Sequence, residues 1–143
     1  MLVFKSRSAS QTRALAKKIG SMLKGGEILA LTGTLGSGKT TFVKGLTQSL
    51  GIKNKVTSPT FVIFNVYPVP GKTRKHFYHF DLYRLRKSRD LIDLGFSEII
   101  ADHKNIVAIE WPEKAGSKLT KRAVRIKFTH DPKNSQNRII TIA

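Results

Sequence analysis

Apolar positions fall along this chain in short runs whose spacing separates strands from helices. Leu2-Val3-Phe4 reads as a strand, and Ser8 or Ser10 after it is a candidate helix N-cap. Leu15, Ile19, Met22 and Leu23 recur at helical spacing, which predicts a first helix over residues 10–23, ended by Gly25-Gly26. Residues 28–31 are all apolar and lead almost directly into glycines, as in a strand buried on both faces of a helix-covered sheet. Phe42, Val43, Leu46 and Leu50 then line one face of a helix over residues 39–50, and Gly51 is its natural stop.

Residues 60–67 are rich in β-branched and aromatic types and read as a strand. A Pro-Gly loop over residues 68–71 separates them from a similar segment at 75–83, which predicts an antiparallel hairpin. Ser88 is placed to cap a helix carrying Leu91, Ile92, Ile99 and Ile100, interrupted by Gly95. Residues 106–109 predict a second buried strand, closed by Glu110-Trp111-Pro112, and residues 123–128 and 139–142 predict two last strands. No repeat or linker divides the chain, so one α/β domain over residues 1–143 is expected.

Composition narrows the class. There are no cysteines, which removes disulfides and thiolate metal sites and gives no sign of an oxidising compartment. No apolar run approaches the roughly 18 residues that span a bilayer, and no signal peptide is visible. A soluble cytoplasmic protein with no membrane partner is expected. Charge is lopsided: 26 Lys plus Arg against 9 Asp plus Glu, a formal net charge of +17 and a pI near 10.6. Such a surface attracts polyanions, and a nucleic-acid partner fits it; a basic bias of the source proteome is the plainer alternative. Bases run from Lys5 to Arg138, concentrated at residues 72–75 and 118–127, a spread that identifies no binding face.

Because acids are few, their placement is informative. Asp81 and Glu110 fall at the ends of strand-like segments, where a Mg²⁺ nucleotide site needs them. Such a site is announced by Gly33-Thr34-Leu35-Gly36-Ser37-Gly38-Lys39-Thr40, which fits the Walker A pattern G-x-x-x-x-G-K-[ST] at every fixed position. Glycines let backbone N–H groups turn inward on phosphates, and the following helix adds the partial positive charge of its N-terminus. Lys39 is expected at the β- and γ-phosphates, the Thr40 hydroxyl on Mg²⁺ and Thr41 at the α-phosphate. Glu110 and Asp81 are the two acids placed to ligate the metal, hold one of its waters or orient an attacking water; a surface ion pair is the plain alternative for each. His76, His79 and Asp81 do not make a zinc site, since alternation puts His79 and Asp81 on one strand face and His76 on the other. The guanine-reading Asn-Lys-x-Asp signature is missing, because Asn54-Lys55-Val56-Thr57 ends in threonine, which favours ATP.

Four motifs now stand in order: Gly36-Ser37-Gly38-Lys39-Thr40-Thr41, Thr57-Ser58-Pro59-Thr60-Phe61, His79-Phe80-Asp81-Leu82-Tyr83-Arg84-Leu85 and Glu110-Trp111-Pro112-Glu113. Together, over nearly the whole chain, they make it resemble the TsaE family, also called YjeE, small bacterial ATPases of the pathway that makes threonylcarbamoyladenosine in tRNA. The resemblance implies a three-layer P-loop NTPase-like domain around a mixed, partly antiparallel sheet. It also implies ATP and Mg²⁺ as cofactors and slow hydrolysis that the partners TsaD and TsaB stimulate; whether the basic surface touches tRNA directly or only suits a tRNA-bound complex stays open. By motif match it implies phosphate and metal contacts at Lys39, Thr40 and Thr41, a metal contact at Glu110, a catalytic or switch role for Asp81 and a switch segment at residues 58–61. Thr12 and Arg138 fall where the family contacts nucleotide. One departure is Thr34, where the family usually carries an acid; binding is expected to survive it, since backbone N–H groups and Lys39 hold the phosphates, and the catalytic rate is the property expected to change. A small nucleotide kinase would use the same loop but needs an arginine-rich lid, for which the stretch after Trp111 leaves little room. A nucleotide-gated binding module without turnover is the other alternative.

Overall fold

The computed structural model describes residues 1–59, 62–71 and 76–143. Seven strands form one sheet in the order β1-β7-β6-β2-β5-β4-β3. Its centre is parallel: β2 (Ile28–Thr32) lies between β5 (Ile106–Glu110) and β6 (Val124–Asp131), and β4 (His76–Asp81) flanks β5. Both margins are antiparallel, with β3 (Phe64–Pro68) on β4 at one side and β7 (Asn134–Ile142) between β6 and β1 (Leu2–Ser6) at the other. This is the mixed α/β sheet expected.

The period-two alternation of the central strands divides the interior. Leu29, Leu31, Ile106 and Ala108 face α1 (Ala9–Gly20) and α2 (Lys39–Ser49), packing with Ala16, Phe42, Val43 and Leu46. Ile28, Ala30, Val107 and Ile109 face the opposite layer, where α3 (Phe96–Ala101) contributes Phe96 and Ile100. The two helices of the first layer approach closely because Gly45 stands at their crossing. A Cβ there would lie 2.6 Å from both the Ala16 Cβ and the Arg13 carbonyl oxygen.

Several boundaries differ from the pattern-based expectation. Ser8, not Ser10, caps α1, its side chain accepting from Gln11 N at 3.1 Å. The helix ends at Gly20, short of residue 23, because Met22 and Leu23 turn back by bonds to the carbonyls three residues earlier, which still buries Leu23. The helix expected from Ser88 is two pieces, a 3₁₀ turn at Ser88–Leu91 and α3, since Gly95 between them takes a left-handed conformation at φ 71°. The last two strands are longer than their apolar runs, because polar residues at the β6–β7 turn keep the backbone ladder, most of them exposed and Asp131 buried against Lys5. The expected hairpin is formed by β3 and β4 with Phe64 opposite Phe80; residues 60, 61 and 75 of its expected strands, and the basic concentration at 72–75, lie outside the described residues.

Candidate functional site

The carboxyl ends of the central strands converge on one cavity. The chain leaves β2 after Thr32, turns through the glycine loop and enters α2 at Lys39, with Gly38 as N-cap at φ 104°. No side chain caps that helix, so its first N–H groups are left to the loop. The loop is crowded on one side and open on the other. A Cβ on Gly33 would lie 2.5 Å from Ser37 Oγ and 2.8 Å from the Phe128 carbonyl oxygen, whereas one on Gly36 would meet nothing within 4 Å. Ser37 is buried, and its hydroxyl has no hydrogen-bond partner among the described residues. Unpaired donors on a helix N-terminus and an open loop face make an anion cradle.

Lys39 is buried at 5 % exposure. Its Nζ donates to the carbonyl oxygens of Gly33 at 2.5 Å and Thr34 at 3.0 Å, and lies 4.5 Å from the centre of the Trp111 ring. Burial pulls its pKa below the ordinary lysine value, against the opposing pull of Glu110, Asp81 and Glu113. The ammonium is thus held by weak, neutral partners, ready to exchange them for an anion.

Strand geometry supplies the acids. Asp81 and Glu110 are register partners at the ends of β4 and β5, and alternation turns both toward the α2 side of the sheet. Glu110, 3 % exposed, accepts from Thr40 Oγ1 at 3.1 Å on Oε1 and 3.3 Å on Oε2. Thr40 Oγ1 is also 3.1 Å from Ser58 Oγ. Burial raises the Asp81 pKa, aided by the Glu110 charge and opposed by the Tyr83 N–H that donates to its Oδ1 at 3.0 Å, by His79 and by Lys39. The Thr40, Ser58 and Glu110 oxygens suit a hard cation: neighbouring ligands of an octahedral ion with bonds of about 2.1 Å lie about 3 Å apart. Among the described residues no group of three or more His, Cys, Asp and Glu forms a metal cluster, so such a cation would rest on one carboxylate and one or two hydroxyls, with the remaining positions left to water or substrate oxygens.

The cavity therefore gathers Gly36, Ser37, Gly38, Lys39, Thr40, Thr41, Asp81 and Glu110, all singled out from sequence, together with Ser58 and Trp111. Gly33 enters through its carbonyl on Lys39. Thr12 and Arg138 lie elsewhere, with Gln136 around a second cavity that shares Gly36, Gly38 and Thr41 with the first. Arg138 Nη2 donates to the Gly36 carbonyl oxygen at 3.1 Å, and Thr12 Oγ1 is 2.7 Å from Ser6 Oγ. The glycine loop is the wall between the two cavities. Thr60 and Phe61, of the expected switch segment, lie outside the described residues.

Two residues escaped the sequence reading as parts of the site. His79, fully buried, sets Nε2 2.6 Å from Glu110 Oε2. Its sequence signals were a strand face shared with Asp81 and the first place in the motif that contains Asp81, and neither gave it a role. Trp111 adopts a left-handed backbone at φ 57° and ψ 50°, the one non-glycine positive φ among the described residues, a conformation of order 1–3 kcal/mol in strain that persists only when surroundings enforce it. Here the Tyr83 ring lies 5.0 Å from that of Trp111, and Lys114 bonds the Tyr83 carbonyl oxygen.

Known proteins place this geometry in a family. The family model described as threonylcarbamoyl adenosine biosynthesis protein TsaE matches residues 6–140. The tRNA threonylcarbamoyladenosine biosynthesis protein TsaE of Treponema pallidum (strain Nichols) is 39% identical over 123 residues, covering 86% of this chain and 87% of that protein. The protein of the same name from Aquifex aeolicus (strain VF5) is 44% identical over 110 residues, 75% of this chain and 74% of its own. Among solved structures, that of Bacillus subtilus YdiB superposes with a TM-score of 0.80 at 29% identity, over 99% of this chain and 83% of that one. By that family match and by relatives at 39% and 44% identity over most of its length, the chain belongs to the TsaE family of tRNA threonylcarbamoyladenosine biosynthesis proteins.

Proposed function

We propose that this chain binds ATP with Mg²⁺ in the loop cavity and hydrolyses it to ADP and phosphate, slowly alone and faster with TsaB and TsaD, in support of tRNA threonylcarbamoyladenosine modification in the cytoplasm. The observation that carries the reading is the contact of Thr40 Oγ1 with Glu110 at 3.1 Å, since it sets a hydroxyl and a carboxylate at metal-ligand spacing beside an anion cradle. When bound, Mg²⁺ would neutralise charge on the phosphate oxygens. The loop N–H groups grip the phosphate chain. Lys39 exchanges the Gly33 and Thr34 carbonyls for phosphate oxygens and offsets charge that grows as the terminal phosphoryl group departs. Glu110 holds the metal side, fixed from behind by His79. Asp81, half-buried and not bonded to Thr40, is placed to orient an attacking water or to sense the terminal phosphate, while Thr12, Thr41 and Arg138 line the cavity on the nucleoside side of the loop.

Phosphate release measured with and without TsaB and TsaD tests the reading, with Glu110→Ala as the diagnostic variant. The variant is expected to lose Mg²⁺-dependent affinity while keeping metal-free nucleotide binding. Equal losses in both would make Glu110 structural, and no phosphate release under any condition would leave a binding module without turnover. A pull-down with TsaB and TsaD in ATP and in ADP tests the partners.

A further inference from the structure

The layer of α1 and α2 is electrically unlike the rest of the molecule. Neither helix contains an acid, and none occurs anywhere from residue 28 to residue 80. On the other face of the sheet, residues 88–102 carry four of the nine acids, Asp90, Asp93, Glu98 and Asp102. Four of the acids that offset the net positive charge are therefore held on the face away from α1 and α2.

Within that layer a cleft opens between α1, α2 and the segment after α2. Arg13, Lys44, Lys53 and Lys55 line it, over a floor that includes Thr47 and Ile52. The three lysines are exposed and Arg13 is half-buried. No side-chain hydrogen bond or ion pair holds any of the four among the described residues, so four cations share a concave site with no neutralising group. Cations converging on a concavity raise the local concentration of anions beyond what scattered charge achieves.

We propose that this cleft docks the phosphate backbone of a structured RNA. The choice of RNA as the polyanion rests on the reading that the protein serves tRNA modification; the cleft itself does not depend on the ATP site. No aromatic side chain lines the cleft, so bases have nothing to stack on and contact is to phosphates, which positions without reading sequence. A protein partner is disfavoured because interfaces are anchored by apolar and aromatic side chains. The exposed large apolar residues lie outside the cleft, among them Leu2 and Val3 on β1, Met22 after α1, and Leu35, Val62 and Tyr83 near the glycine loop. A concave cleft also suits a ridge of phosphates better than a flat bilayer.

The test is fluorescence anisotropy of a labelled tRNA transcript, without nucleotide or partner proteins, across a salt series. Wild-type affinity is expected to fall linearly with salt on a log–log plot, and Lys44→Glu/Lys53→Glu is expected to bind at least about tenfold more weakly with a slope shallower by about 1.5. Lys118→Glu/Lys121→Glu, at the other basic concentration, is expected to bind as wild type. Circular dichroism and thermal melting check that the variants fold. Wild-type-like binding by the cleft variant, or loss confined to the control, would overturn the proposal. So would equal competition by polyglutamate, pointing to an acidic protein, or tighter binding to phosphatidylglycerol vesicles, pointing to a membrane. A protein that hydrolyses ATP with its partners yet binds no RNA would sink this proposal alone; one that binds RNA at the cleft but never ATP would sink only the ATPase reading.

Discussion

His79 Nε2 lies 2.6 Å from Glu110 Oε2, and both side chains are buried. The imidazole therefore fixes which way the carboxylate faces, leaving it directed at Thr40 Oγ1. Outer partners of this kind tune a metal site through the ligand they hold.

Replacing His79 with Ala leaves a buried carboxylate short of a partner, a loss of about 1–3 kcal/mol in stability. It is also expected to weaken apparent Mg²⁺ affinity by about 10- to 100-fold while metal-free nucleotide binding changes little. Thermal melting gives the first number and a Mg²⁺ titration of nucleotide binding the second. A variant that melts lower with an unchanged titration would confine His79 to a structural role.

Trp111, the only tryptophan, has the Lys39 ammonium 4.5 Å from its ring centre. Drawing Lys39 onto phosphates changes that contact, so MgATP is expected to shift Trp111 fluorescence. Lys39→Ala is expected to alter emission without nucleotide and to abolish the MgATP response. An unchanged signal in wild type, with no heat of binding by calorimetry, would count against the site.

Gly45 tests the helix layer by itself. Gly45→Val forces β-branched bulk against Ala16 and the Arg13 backbone, where even a Cβ sits at 2.6 Å. Overpacking of this kind is destabilising by about 1–3 kcal/mol, measured by denaturant midpoint. Neutral behaviour would mean that α1 and α2 separate more easily than their packing implies.

How far the sequence alone reached follows from the range of each interaction. The glycine loop was legible because its requirements are local: positive φ at Gly38, space at Gly33 and a helix following at once. The buried strands were legible because a covered parallel sheet makes every position apolar. Glu110 was legible as an acid at a strand end, but His79 behind it was not, since its partner lies 31 residues away and only β4–β5 pairing joins them. The Trp111 conformation was hidden for the same reason, being held by Tyr83 and Lys39 from other elements. The basic cleft needed the fold, because Arg13 and Lys53 meet only once α1 packs on α2.

Asp81 makes a prediction whose sign is opposite to that of most structural carboxylates. Burial raises its folded-state pKa above the ordinary value of 3.8, so the folded protein holds the proton more tightly than the unfolded chain does. That favourable contribution is present below pH 3.8 and lost as pH rises through the raised value, leaving ionised Asp81 a burden at neutral pH. Asp81→Asn keeps an oxygen for the Tyr83 N–H and removes the charge. It is expected to melt at or slightly above wild type at pH 7, with the advantage shrinking toward pH 4, while ATP turnover falls by roughly 100-fold or more, in the range for a lost general base. Melting curves at both pH values and a phosphate-release assay check this. A variant clearly less stable at pH 7 would show that ionised Asp81 gains more from Lys39 and His79 than it loses to burial, and undiminished turnover would remove Asp81 from the chemistry.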